Sequence, residues 1–207
     1  MEISLLDGTK QDLPEGSSVV ELARKLKKKI NGSALAARIN DELKDLKTPL
    51  NDGDIVQVLT FEDEEGQDIF WHSSAHLLAQ AILRLYPDAK PTIGPAIENG
   101  FYYDFANLSI SSSEFPEIEA EMQKIIKERP QPERIEFESK EEALQRFGDN
   151  PFKKEMIEEF EEGLSAYQQG DFIDLCRGPH VPHMGLVQAI KILKTSGAYW
   201  RADAENE

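Results

Sequence analysis

Cysteine is nearly absent from this sequence: Cys176 is the only one. No intramolecular disulfide can form, which fits a reducing compartment. Histidine is scarce too, with 4 residues. Basic residues are outnumbered, 23 Lys and Arg against 39 Asp and Glu, for a net charge of -16. On its face that balance argues against nucleic acid, which prefers basic surfaces. No apolar run approaches the ~20 residues that span a bilayer. The start, MEISLLDGTK, lacks the basic segment and apolar core of a signal peptide. Together these absences set the expectation of a soluble, cytoplasmic protein with no membrane partner. There is no internal repeat, no Walker A or GxGxxG sequence and no low-complexity tract.

The charge is unevenly spread. Residues 1–61 hold 9 basic and 10 acidic side chains, whereas residues 114–162 hold 8 and 16. Residues 175–202 contain Arg177, Lys191, Lys194 and Arg201 and no acid, so one end of the chain could still face phosphate.

Residues 1–61 read as a small module. Strands are expected at Ile3–Leu5 and Gln11–Leu13 around the turn pair Asp7-Gly8. A helix is expected from a Ser17 or Ser18 cap, with Glu21 closing a capping box and Val20, Ala23, Leu26 and Ile30 as its apolar stripe. Strands at Ala36–Ile39, Glu42–Leu43 and Asp54–Leu59 complete the order of a ubiquitin-like β-grasp. The five acids of Phe61–Asp68 suggest a linker, with Asp68 capping a buried helix that runs through Trp71, Ala75, Leu78, Ile82 and Leu85 to Pro87. Asn99-Gly100 suggests a hairpin. Helices are expected at 114–127, 141–147 and 151–160, and strands at 135–137, 170–175 and 188–194. The fold class is α+β, divided as 1–61 and 62–207.

Two motifs gather nearly all the histidine and cysteine. In HSSAH, His72 and His76 lie four apart, so both imidazoles share one helical face. In CRGPH, Gly178-Pro179 forbids a regular helix, so Cys176 and His180 sit on a shaped turn after a strand. A pair of histidines at this spacing is commonly just a satisfied core feature. The concentration of these residue types into two motifs favours a site, and three imidazoles with one thiolate form a tetrahedral zinc set. Asp174, two residues before Cys176, could fix an imidazole tautomer or bind an amine. Tyr103 could present a phenol, and one of Lys153 and Lys154 could point inward. His183 is left over, with a surface role expected.

HSSAHLL, IGPAIENGFYYD, DLCRGPHVP and GAYWR, in this order and at similar separations, resemble the first half of bacterial threonyl-tRNA synthetases. The resemblance covers essentially the whole chain. It implies that residues 1–61 form a TGS domain and that 62–207 form an editing domain of the kind shared with alanyl-tRNA synthetases. That domain would hydrolyse serine wrongly attached to threonine tRNA. By residue, it implies that His72, Lys153 and His180 are catalytic, with His72 and Lys153 activating water and His180 orienting. Tyr103, Asp174, His76 and Cys176 would bind the substrate. No cofactor is required by the resemblance to the threonyl family, while zinc on His72, His76, Cys176 and His180 stays open, as the same set binds it in the alanyl relatives. ATP, Mg and another zinc would belong to a catalytic domain, and with an anticodon-binding domain and a homodimer to the full-length protein, beyond residues 201–207. Two other readings stay open: a tRNA-positioning module without catalysis, and a structural zinc-binding domain.

Overall fold

The computed structural model describes residues 1–160 and 163–197. Strand β1 (Glu2–Leu5) turns into β2 (Lys10–Asp12), helix α1 (Val19–Leu26) follows, and β3 (Ala36–Ile39), β4 (Glu42–Lys44) and β5 (Ile55–Leu59) complete a sheet. Its order is β2-β1-β5-β3-β4, with β1 and β5 parallel and the other pairs antiparallel. That is the β-grasp order. Gly8, at φ +80°, supplies the left-handed residue the first turn requires.

Ser18 caps α1. Its hydroxyl oxygen accepts from the Val20 N–H at 3.2 Å, and its own N–H donates to Glu21 Oε2 at 2.8 Å. Because the helix begins at Val19 and stops at Leu26, its buried stripe is Val19, Leu22, Ala23 and Leu26. Ala23 and Leu26 lie in the stripe as expected, whereas Val20 and Ile30 are only half-buried and Val19 and Leu22 take their places. Ser18→Ala should lower stability by ~1 kcal/mol, the usual cost of losing a cap; urea unfolding of the variant checks this.

The acidic stretch after β5 is not a linker. Helix α2 (Glu64–Leu85) starts inside it, and Asp68 lies in the helix rather than at its cap. Glu64 and Glu65 favour the positive end of the helix dipole. Asp63 Oδ2 accepts from the Thr60 N–H at 2.8 Å. Gly66 packs so closely that a Cβ would run into the Thr60 carbonyl. Arg38 of β3 pairs with Glu65. The helix therefore leaves the sheet without slack, and Leu35, Ala36 and Leu59 share one core with α2.

Helix α2 contributes to two buried clusters. Ile69, Leu77 and Ile82 pack on Ile118, Met122 and Ile125, which belong to α3 (Phe115–Glu128). Ala75 and Ala79 pack on Tyr103 and Phe172. Between the two helices run β6 (Lys90–Pro91), β7 (Ala96–Ile97), β8 (Gly100–Phe101) and β9 (Phe105–Ala106). The β7–β8 hairpin turns over Glu98 and Asn99, so the expected Asn99-Gly100 turn is displaced by one residue.

After α3 come β10 (Glu133–Glu136), α4 (Lys140–Phe147), α5 (Pro151–Glu159), β11 (Ser165–Gln169) and β12 (Phe172–Leu175); β10, β11 and β12 form one antiparallel sheet. Residues 188–194, expected as a strand, have no regular structure. The Ile192 N–H donates to the Glu119 carboxylate of α3 at 2.9 Å, a side-chain partner rather than a neighbouring strand. In the GAYWR block, residues 198–201 lie outside the described residues. Arg84 of α2 reaches Glu128 at 2.9 Å, Asp171 at 3.0 Å and Glu121 at 3.3 Å, which ties α2 to α3 and to the turn before β12. No helix among the described residues is long and apolar enough to cross a membrane.

Candidate active site

The third turn of α2 faces the end of β12. His72, His76, Cys176 and His180 converge there, with one ligand atom from each lying within 4.8 Å of the others. His72 Nε2 is 2.9 Å from Cys176 Sγ, and His180 Nε2 is 3.2 Å from it. The imidazoles of His76 and His180 have centroids 4.3 Å apart.

Hydrogen bonds behind the rings fix two tautomers. His72 Nδ1 lies 3.1 Å from the Gly94 carbonyl, which can only accept, so Nδ1 carries the proton. Ser73 donates its single hydroxyl hydrogen to the Ile69 carbonyl at 2.7 Å. The same oxygen accepts from the Val181 N–H at 3.1 Å, and His180 Nδ1, at 3.0 Å, must therefore be the donor. Both Nε2 lone pairs are thus aimed at one sulfur, which has one proton to give. The Gly178 N–H also donates to Sγ at 3.1 Å, which partly opposes the rise that burial imposes on the thiol. A sulfur that would give up its proton on binding, beside Nε2 nitrogens of His72 and His180 anchored from behind, is the arrangement metal-ligating residues adopt, so the set fits a zinc ion.

Burial sets the charge states in the absence of metal. It holds the imidazoles of His76 and His180 well below the usual histidine range, reinforced for His76 by His180 and for His180 by His72. His72 is lowered by the same desolvation, partly opposed by the Gly94 carbonyl. The Cys176 thiol is pushed up to about 12.

Beside the cluster lies a cavity of about 290 Å³, lined by His72, His76, Thr92–Pro95, Lys153, Met156, Asp174 and Leu175. A buried ion pair lies in its wall. Lys153 Nζ is 2.5 Å from Asp174 Oδ1 and donates to the Thr92 carbonyl at 2.6 Å. The Tyr103 hydroxyl donates to Asp174 Oδ2. Burial, followed by the Asp174 charge, keeps that phenol protonated. His76 Nε2 stands 3.8 Å from Asp174 Oδ2. Lys153 is 2% exposed, whereas its neighbour Lys154 is exposed, because α5 turns successive side chains to different faces.

The seven residues expected at the site come together as two adjoining groups, four in the His/Cys cluster and three around the Lys153–Asp174 pair, and His72, His76, Lys153 and Asp174 line the cavity. His183 stays outside, beside Arg129 at 3.1 Å. Ser73 and Gly94 were not expected there. Each had a signal in the sequence, a serine between the two histidines of HSSAH and the turn pair Gly94-Pro95, and the structure adds that a Cβ on Gly94 would strike the Tyr103 ring.

A model of the TGS domain matches residues 1–60, and a model described as the threonyl and alanyl tRNA synthetase second additional domain matches residues 164–201. A threonine–tRNA ligase from Protochlamydia amoebophila is 53% identical over 209 residues, covering 100% of this chain and 32% of the relative. One from Chlamydia felis is 51% identical over 205 residues, 98% of this chain and 32% of the relative. One from Caldanaerobacter subterraneus is 47% identical over 212 residues, 100% of this chain and 33% of the relative. The chain spans about a third of the length of the curated relatives it matches.

Proposed function

Because the chain belongs to the threonyl-tRNA synthetase family and carries TGS and editing domains, we propose that its cavity hydrolyses the ester of serine wrongly attached to threonine tRNA. The observation that carries this reading is the buried Lys153–Asp174 pair, braced by the Tyr103 hydroxyl, lining one cavity with His72 and His76.

The need for such a site is physical. Threonine exceeds serine by one methyl group, worth only ~1–3 kcal/mol of discrimination, so a pocket shaped for threonine cannot strongly reject serine. A second, tighter pocket can admit serine and exclude the larger side chain. Water attacks the ester carbonyl, the C–O bond to the terminal ribose breaks, and serine and free tRNA leave. Asp174 is the anion that would receive the seryl ammonium. The Lys153 ammonium would stabilise the developing oxyanion. His72, neutral and with Nδ1 held by Gly94, would accept the proton from water through Nε2. His76 and His180 orient, and the Thr92–Pro95 segment bounds the side-chain space.

A zinc ion on His72, His76, Cys176 and His180 would supply Lewis acidity beside the same cavity, and the His72 Nε2 lone pair would then be spent on the metal rather than on water. The domains of this reading are residues 1–61 and 62–207. Its setting is the cytoplasm, its partner serine-charged threonine tRNA. The full-length protein would be a homodimer that joins threonine to tRNA with ATP, Mg and a further zinc in its catalytic domain.

Deacylation of seryl- and threonyl-tRNA, each with and without chelator, tests the proposal. Release of serine much faster than threonine is expected. Equal release, or tRNA binding without release, would remove the editing reading. Unfolding on chelation, with no hydrolysis in either case, would instead favour a structural metal domain.

A further inference from the structure

We propose that Asp45, in the β-grasp module, is a positioning residue for the deacylation site, holding the backbone and the ring of His180 in place. The inference rests on the editing reading above, and it assigns the N-terminal module a task within it.

Asp45 follows β4 directly, and its carboxylate oxygens are divided between the loop that bears the site and the strand β11 beside it. Oδ1 accepts from the His180 N–H at 3.0 Å, across 135 residues of chain. Oδ2 accepts from the Tyr167 hydroxyl at 2.6 Å. Tyr167 in turn lies against the His180 imidazole, with ring centroids 4.5 Å apart. Gly178 makes this approach feasible: at φ +65° it has no Cβ, and one built there would sit 2.2 Å from the Tyr167 hydroxyl oxygen. One carboxylate therefore fixes both the main chain of His180 and the aromatic wall beside its ring.

The anchor is firm at its other end. Leu46, the next residue, is buried in the core of the β-grasp, and its carbonyl accepts from the Val20 N–H of α1 at 3.0 Å. Among the described residues, the ion pairs between the two parts of the chain do not involve the loop. Arg38 meets Glu65 at the start of α2, Lys47 meets Glu133 at 3.7 Å, and Leu35, Ala36 and Leu59 pack into the α2–α3 core. From the far side the loop is held by the Ser165 hydroxyl, which donates to the Cys176 carbonyl at 2.7 Å, and by Arg134, which donates to the Arg177 carbonyl at 2.6 Å. Neither reaches His180. The His180 ring is held by Ser73 at Nδ1 and lies beside Cys176 at Nε2. The next N–H, of Val181, donates to Ser73, and Asp45 accepts from the His180 N–H itself.

A displacement of about 1 Å in a catalytic group can cost ~10²-fold in rate, so loss of this tether should appear in turnover rather than in binding. The test uses the full chain, seryl-tRNA and four proteins: wild type, Asp45→Ala, Asp45→Asn and Arg38→Ala. Asp45→Ala should slow single-turnover deacylation about tenfold or more with half-saturating tRNA unchanged. Asp45→Asn keeps an acceptor oxygen for the His180 N–H and should restore most of the rate. Arg38→Ala breaks a contact between the two parts elsewhere and should leave the rate alone. Amide exchange at His180 should accelerate in Asp45→Ala and in no other variant. A wild-type rate in Asp45→Ala, or equal losses in all three variants, overturns the inference. If wild type releases no serine, the editing reading fails by itself; unchanged His180 exchange in Asp45→Ala then overturns the tether as well.

Discussion

Lys153→Met should cut deacylation of seryl-tRNA by ~10²–10³-fold, the range found when one preorganised electrostatic donor is removed from a reacting oxyanion. It should also destabilise the fold by ~3–5 kcal/mol. Asp174 would be left as a buried carboxylate with the Tyr103 hydroxyl as its strongest partner, and stripping one member from a buried ion pair costs that much. The two effects separate in a second variant. Adding Asp174→Asn removes the unpaired charge, so Lys153→Met/Asp174→Asn should recover most of the lost stability. It should not recover activity, since the ammonium is still missing and the anion for the seryl amine has gone too. Urea unfolding of the single and double variants, with single-turnover deacylation of each, completes the cycle. A Lys153→Met protein within threefold of the wild-type rate would show that the ion pair is structural and that the oxyanion is stabilised elsewhere. Lys154, one residue along the same helix and exposed, is the internal control. Its removal should change neither quantity.

That Lys153 rather than Lys154 faces the cavity shows where sequence reasoning meets its limit. A four-residue spacing on one helix is a local fact, so the shared face of His72 and His76 was legible before any fold was known. The same holds for the turn that carries Cys176 and His180, which Gly178-Pro179 forces. The order of the β-grasp was legible for a similar reason, because its turns sit at Asp7-Gly8 and Asn51–Asp54 and its helix has a complete capping box. What was not legible depended on partners far away in sequence. Residues 188–194 alternate like a strand, yet no strand is there to receive them among the described residues, and a glutamate on α3 takes the Ile192 amide. β11, Ser-Ala-Tyr-Gln-Gln, has too little apolar alternation to announce itself, yet it is the central strand between β10 and β12. The acid-rich start of α2 looked like solvated linker. It is helical because its glutamates meet the helix dipole and its glycine fits against Thr60. Asp45 had no local signal at all, since its meaning comes from an amide 135 residues away.

In the presence of chelator, the fold should lose stability steeply as the pH falls below about 6.5, the ordinary histidine value in an unfolded chain. Desolvation lowers the folded-state pKa of His72, His76 and His180. Below 6.5 the unfolded chain therefore takes up protons that the folded chain refuses, and stability falls with pH until each folded pKa is passed. Each such histidine contributes up to ~1.4 kcal/mol per pH unit, and three together up to ~4 kcal/mol per unit. The lowered carboxyls of Asp171 and Glu121 act in a separate, more acidic window, below the ordinary carboxylate range. Urea unfolding at intervals from pH 7.5 to 5 reads the slope, and His76→Asn should reduce it by about one histidine's share. Saturating zinc should raise stability at pH 7.5 and make the acid loss steeper, because protons then compete with the metal for the same nitrogens. The same neutrality links the pH profile to chemistry. With its pKa below the ordinary value, the His72 lone pair stays available through pH 7 and 8, so deacylation should be level there and decline only on acidification. A stability curve flat between pH 7 and 5 would mean that the three rings are not enclosed as neutral imidazoles, and the assignment of His72 as proton acceptor would go with it.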